Sequence, residues 1–233
     1  MEILYEDKDL LVVIKPANIA TETSNIRQKD MVTEIRQYLM SASKAKQEPY
    51  VGLIHRLDQP VSGILVFAKN TKSAAKLSAQ VQNKTMEKHY IAIVSGKPVQ
   101  DKNTETNADG SDCSRPVTLI NYIYKDSKEN KAKISNNPDK DVKLKPQKAE
   151  LSYKLISYDP DTNTSRLEIN LITGRFHQIR CQLSNIGHPI VNDTKYGYTD
   201  AKDYKYNGIA LCAYKLSFVH PTNNKKLNFE IPF

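Results

Sequence analysis

The feature that most constrains the fold is the way β-branched and aromatic residues bunch into short runs, each cut off by turn residues. ILY at Ile3–Tyr5 gives way to a charged turn. LLVVIK at Leu10–Lys15 then runs until Pro16, which cannot donate to a strand ladder. The same grain returns in GILVFAK, in HYIAIVSG at His89–Gly96, and in VTLINYIY, AELSYKLISY, SRLEINLI, IALCAYKLSFVH and KKLNFEI. Helical periodicity is rarer. Met31–Met40 carries Met31, Ile35, Tyr38 and Leu39 at helical spacing. A second helix over KSAAKLSAQVQ, with Thr71 as its N-cap, presents Ala74, Ala75, Leu77, Ser78 and Val81. A third begins near Thr173-Gly174, puts Phe176, Ile179, Leu183 and Ile186 on one face, and stops at Gly187 and Pro189. About three helices among many strands, with no internal repeat and no long linker, predict an α+β fold.

A chain of 233 residues suits one large domain or two small ones. With 39% hydrophobic and 26% charged residues it can bury a core, so disorder throughout is excluded. Lys plus Arg number 34 against 26 Asp plus Glu, a net charge of +8 that favours polyanionic partners, nucleic acid before anionic membrane. Cys113, Cys181 and Cys212 are odd in number and lack CxxC spacing, against a disulfide framework or a structural zinc site. The start, MEILYEDKD, has no signal-type apolar core, and no run approaches the roughly 18 apolar residues of a membrane span. A soluble cytoplasmic protein is expected. The stretch Lys125–Lys148 holds eight Lys against four acids and predicts a solvated insertion, either a mobile surface loop or an RNA-facing arm.

Three segments could carry chemistry. In HRLDQPVSGILVFAKN, Asp58 sits in a turn at the mouth of an apolar strand, where a carboxylate is held rigidly yet stays accessible, as a nucleophile or general base requires. From spacing alone, a turn Asp accepting backbone hydrogen bonds is the more ordinary reading. In LITGRFHQIRCQLSNIGHPIVNDTKYG, Arg175, His177 and Arg180 cluster at a helix start, with Asp193, Lys195 and Tyr196 beyond a Gly-Pro break. Such guanidiniums bind phosphates, pair with a catalytic carboxylate, or simply pair on the surface. In KHYIAIVSG, Tyr90 either stacks on a nucleobase or fills the core. His55, Asp58, His177, His188 and Asp193 lack the spacing of a metal site; GxxxxGK[ST], GxGxxG and GxSxG are absent.

These segments, in this order, resemble the RluA-type family of RNA pseudouridine synthases. HRLDQPVSGILVFAK resembles the family's HRLD-x-x-[TS]-SG-hydrophobic-AK signature, and TGRFHQIR with GHPIVNDTKYG resembles its TGRxHQIR…GxPIxGDxxYG signature. ILYEDKDLLVVIKP, KHYIAIVSG and LCAYKLSFVHP extend the similarity over nearly the whole chain. The resemblance implies one catalytic domain over residues 1–233, built on a bent, mostly antiparallel mixed sheet with a central basic cleft. No separate amino-terminal RNA-binding domain is expected. It implies Asp58 as nucleophile, Tyr90 against the uracil ring, and Arg175 pairing with the Asp58 carboxylate. Arg56 would fill the space left by the displaced base, with His55, His177, Arg180 and Lys195 as further RNA-binding residues. The partner would be structured RNA, ribosomal or transfer, bound by a monomer that needs no metal, nucleotide cofactor or membrane.

Val61 stands where Thr is usual in that pattern, Gln182 where His is common, Asn192 and Asn18 where Gly is common, and Cys212 where His is frequent. None falls on Asp58, Tyr90 or Arg175. A non-catalytic RNA-binding protein and a metal-dependent nuclease remain as alternatives at this point.

Overall fold

The computed structural model of the chain describes residues 1–25, 28–43, 47–99, 115–199 and 206–233. Cys113 and most of the polar stretch 97–115 lie outside them. The chain divides into two compact units, Met1–Lys88 with Cys212–Phe233, and His89–Leu211.

The first unit is built on β1 (Glu2–Glu6), β2 (Leu10–Lys15), β4 (Ser62–Ala68), β10 (Leu211–Val219) and β11 (Lys226–Glu230), with the short β3 (Gly52–Leu53) against β4. β2 lies antiparallel to both β1 and β4, in a register running from Leu10↔Ala68 to Lys15↔Gly63. β4 runs parallel to β10 at Ser62↔Cys212 and Gly63↔Ala213. Period-two alternation sends Leu10, Val12, Ile64, Val66 and Ala68 into one cluster with Leu77, Met86, Leu216 and Phe218. Leu77 belongs to α2 (Thr71–Gln82), while α1 (Met31–Ser43) follows the polar loop as the periodicity predicts.

The cap of α2 falls one residue earlier than expected. Asn70, extended at φ −153°, accepts the Ser73 N–H at 2.8 Å, which a Thr71 already inside the helix cannot do. Ala75 is exposed, and Ser73 takes its place on the buried face with Leu77, donating its hydroxyl to Asp9 at 3.2 Å.

In the second unit β5 (Glu87–Ser95), β9 (Thr164–Leu171), β8 (Gln147–Asp159), β6 (Val117–Asp126) and β7 (Lys131–Ser135) neighbour one another in that order, all antiparallel. The Lys-rich stretch 125–148 is therefore structured, not a mobile loop. β7 pairs with β6 from Tyr122↔Ser135 to Asp126↔Lys131, a 3-10 turn follows at Val142–Leu144, and β8 starts at Gln147. Its apolar alternation is short but sufficient. Ala132, 1% exposed, joins Ile123, Ala149, Cys181 and Tyr196 in a cluster, with Ile134 against it.

The third helix is also shorter than expected. α3 spans Gln178–Asn185 rather than starting near residue 173, because residues 173–177 spend their hydrogen bonds on a loop and His177 turns left-handed at φ 49°. Phe176 consequently lies outside the helix. Gly187 ends α3 at φ +83°, its N–H on the Ser184 carbonyl. Among the described residues no helix is long and apolar enough to cross a membrane.

Candidate active site

Asp58 closes a turn in which its carbonyl accepts the Val61 N–H at 3.0 Å. The residues on either side of it are both tied to the segment after β2. Leu57 exchanges two hydrogen bonds with the Thr21 hydroxyl, at 3.1 and 2.8 Å. On the other side the Gln59 carbonyl accepts from the Lys15 ammonium at 3.1 Å, and the Gln59 amide donates to the Asn18 carbonyl at 3.2 Å. The ammonium also donates to the carbonyls of Pro16 and Ile19, at 2.9 and 2.6 Å. Lys15 is fully buried. Burial pushes it down to about 8, and the Asp58 charge opposes that shift. Gly63, just past the turn, is required at φ +132°: a Cβ there would stand 2.4 Å from the Ala213 carbonyl oxygen of the parallel strand.

His55 and Arg56 diverge. The Val66 N–H donates to His55 Nε2 at 3.4 Å, which puts the ring proton on Nδ1, a buried atom without a partner among the described residues. Burial, helped by Lys88, lowers His55 to about 3, so the ring is neutral and its nitrogens face inward. Arg56 is exposed and pairs with Glu22 at 2.7 Å.

In the second unit Tyr90 lies on β5 opposite Ile169 and is 5% exposed. Arg175 is exposed, on a loop organised by one side chain. Gln178 accepts the Arg175 N–H at 3.0 Å and the Thr173 hydroxyl at 2.7 Å, and donates to the Glu150 carbonyl at 3.1 Å. The Arg175 Nε donates to the Lys148 carbonyl at 3.0 Å. His177 meets the Tyr196 hydroxyl at Nδ1 (2.9 Å), and burial together with Arg180, Lys195 and Lys125 lowers it to about 3. Arg180 is 4% exposed and grips Asp193 in two bonds, Nε–Oδ2 at 2.7 Å and Nη2–Oδ1 at 2.8 Å. It joins α3 to the loop holding Asp193 and offers no exposed face for a phosphate. Lys195 is exposed, its ammonium on the Asn130 carbonyl at 2.9 Å.

The departures from the family pattern find physical explanations. Asn18 and Asn192 both adopt φ 67°, the left-handed conformation that Asn tolerates best after Gly. Val61 and Cys212 are buried. Gln182, wholly buried, donates to the Leu119 carbonyl and Asn121 Oδ1 at 3.3 and 2.8 Å. Among the described residues, the group whose metal-type ligand atoms approach one another is Asp7, Asp9 and His220. Its oxygens already accept from Asp9 and Leu10 N–H, Asn70, Thr222 and His220, the bonding of a cross-link rather than a cation site.

Sequence reasoning missed Lys15, Thr21 and Gln178. A lysine ending an apolar run looks solvated, and only its place opposite Gly63 in the β2–β4 register brings it inside.

The chain matches the family described as RNA pseudouridylate synthase over residues 9–185. It is 31% identical over 232 residues to the tRNA pseudouridine synthase C of Pasteurella multocida, covering 97% of this chain and 89% of that protein. It is 30% identical over 238 residues to the ribosomal large subunit pseudouridine synthase D of Nitrosomonas europaea, covering 100% of this chain and 62% of that protein. Among solved structures, human RNA pseudouridylate synthase domain containing 4 superposes with a TM-score of 0.73 at 21% identity, over 100% of this chain and 88% of that one, a likeness of fold. The chain spans 66% to 68% of the length of several curated relatives it matches.

Proposed function

Because the chain belongs to the RNA pseudouridylate synthase family, we propose that it isomerises a uridine of structured RNA, ribosomal or transfer, with Asp58 as the acting carboxylate. The observation that carries this reading is the bracketing of Asp58. Both of its chain neighbours are hydrogen-bonded to the 15–21 segment, and a buried ammonium interacts with it electrostatically. A turn Asp with a purely local role needs neither. Pre-organisation of this kind keeps a carboxylate in one orientation, and the Lys15 charge favours its ionised form.

The reaction breaks the N1–C1′ bond and forms a C5–C1′ bond, while one proton leaves C5 and one is gained at N1. It is an isomerisation, balanced without an oxidant or an energy donor. An ionised carboxylate starts it, by attack at C1′ or by removing a proton from C2′. The roles the family resemblance gives Tyr90 (against the uracil ring) and Arg175 (toward the carboxylate) belong to the same proposal. Arg56 and Lys195, both exposed, are the residues offered to phosphate. His55, His177 and Arg180 act as positioning residues. Unstacking the target costs a few kcal/mol, which contacts along the RNA backbone offset. The proposal takes residues 1–233 as one catalytic domain, working in the cytoplasm as a monomer without metal or nucleotide cofactor.

Pseudouridine mapping of rRNA and tRNA from cells with and without the gene tests this. A uridine that loses its modification on deletion, regains it with the wild-type chain and not with Asp58→Ala, is the expected result. An unchanged map, or rescue by Asp58→Ala, would contradict it.

A further inference from the structure

Phe176 is the apolar residue that helical spacing assigns to the interior and that the structure leaves 37% exposed. Its ring stacks on His177, centroids 3.8 Å apart and planes at 18°. His177 meets the Tyr196 ring edge-on at 5.6 Å and shares a hydrogen bond with its hydroxyl, whose oxygen also accepts the Ala132 N–H at 2.7 Å. Burial and the surrounding cations keep that imidazole neutral, so it backs Phe176 as a flat apolar partner. Three aromatic rings are thus locked in a rank anchored to β7, with Phe176 at its outer end.

Lysines line this rank. With the imidazole filling one face of Phe176, the Lys125 ammonium, 4.6 Å from the ring centroid, stands over the other. Lys131 stands 4.9 Å over Tyr196, and Lys195 reaches the Asn130 carbonyl beside it in the chain. Among the described residues no carboxylate pairs with any of these three ammonium groups. An exposed, backed aromatic face edged by unneutralised cations suits a ligand that is itself a flat ring on an anionic chain, which is a single-stranded nucleotide.

We propose that Phe176 is a stacking platform for an unpaired base of the RNA substrate, flanking the target uridine, and that Lys125 pairs with the phosphate of that nucleotide. A cation over an exposed ring is held more weakly than a stacked base, so the incoming base displaces Lys125, which then turns to the phosphate. Every base has a π face, so the platform accepts any of them and adds affinity rather than sequence choice. Phe176 directly follows Arg175, which keeps the flanking nucleotide next to the arginine that the proposed mechanism uses. The site assignment rests on that proposed function; the binding itself does not.

The test uses a ten-nucleotide oligouridylate carrying 5-iodouridine. Ultraviolet crosslinking to the wild-type chain is expected to mark Phe176 in the digested peptides. Phe176→Leu, which keeps apolar bulk without a π face, should abolish that crosslink and weaken binding roughly ten-fold. Lys125→Gln should lower the salt dependence of binding by about one ion. With an RNA substrate identified by mapping, Phe176→Leu should raise KM rather than lower kcat. A wild-type chain that fails to bind the decamer, or a Phe176→Leu chain that binds and crosslinks like wild type, would overturn the proposal. A chain that crosslinks through Phe176 yet makes no pseudouridine would instead sink the proposed function and leave the platform standing.

Discussion

Each unit has a buried cation next to its signature loop, Lys15 in the first and Arg180 in the second, and the two are held differently. Lys15 in the first unit gives its protons to three backbone carbonyls, those of Pro16, Ile19 and Gln59. Arg180 in the second gives Nε and Nη2 to one carboxylate, Asp193. Carbonyl dipoles solvate an ammonium without cancelling its charge, so the field of Lys15 remains available to Asp58. The guanidinium of Arg180 is paired in place, and although its charge still helps to lower His177, its main value is mechanical, fastening α3 to the loop that holds Asp193. The first arrangement suits a residue that tunes a neighbour, the second one that holds a shape.

The sharpest way to break this comparison is to delete the clamp. Arg180→Met leaves Asp193 charged and buried, which costs on the order of 3–5 kcal/mol. Urea denaturation should show that loss, and a loss under about 1 kcal/mol would remove the mechanical role. The double variant Arg180→Met, Asp193→Asn should recover part of it.

Titration separates the two cations next. Burial holds Lys15 at about 8 in the folded chain, against 10.5 for the free side chain. Between those values the unfolded chain binds a proton that the folded one has shed, so stability rises with pH across that window. The stability gap between wild type and Lys15→Met should therefore shift in favour of wild type by about 2 kcal/mol from pH 7 to pH 10. The corresponding gap for Arg180→Met should stay flat, because a guanidinium does not titrate there. Equal slopes would dissolve the distinction.

A separate titration effect appears on the acid side. His55 and His177 fall from 6.5 to about 3 on folding, so each contributes stability that is complete above pH 6.5 and is lost as pH falls toward 3. Stability should begin to drop below pH 6.5, and Asp7 and Asp9, held below the usual carboxylate range by their hydrogen bonds, should extend the loss further down. His177→Asn should flatten the upper part of that curve. The smallest changes belong to the left-handed asparagines. Asn18→Ala and Asn192→Ala should each cost about 1 kcal/mol, and the corresponding Gly variants should stay within about 0.5 kcal/mol of wild type in thermal melts.

The strands and the two signature loops were legible because period-two alternation and a turn before an apolar strand leave marks in the sequence. What was hidden depends on partners far along the chain. Nothing near Lys15 announces that Gly63 will lie opposite it. β7 was concealed because its two apolar residues, Ala132 and Ile134, alternate with lysines that dominate the composition. The early start assigned to α3 failed because Gln178 draws Thr173, Arg175 and Glu150 into a loop, a competition for hydrogen bonds that apolar spacing does not record. The same loop pushes Phe176 outward.

The most direct test is single-turnover pseudouridine formation by purified Asp58→Asn, an almost isosteric change that removes the charge. A rate lowered by on the order of 10³-fold or more, with the melting curve preserved, is the predicted result. A rate within about ten-fold of wild type would mean that the carboxylate held between Leu57 and Gln59 is not the group that acts on the nucleoside.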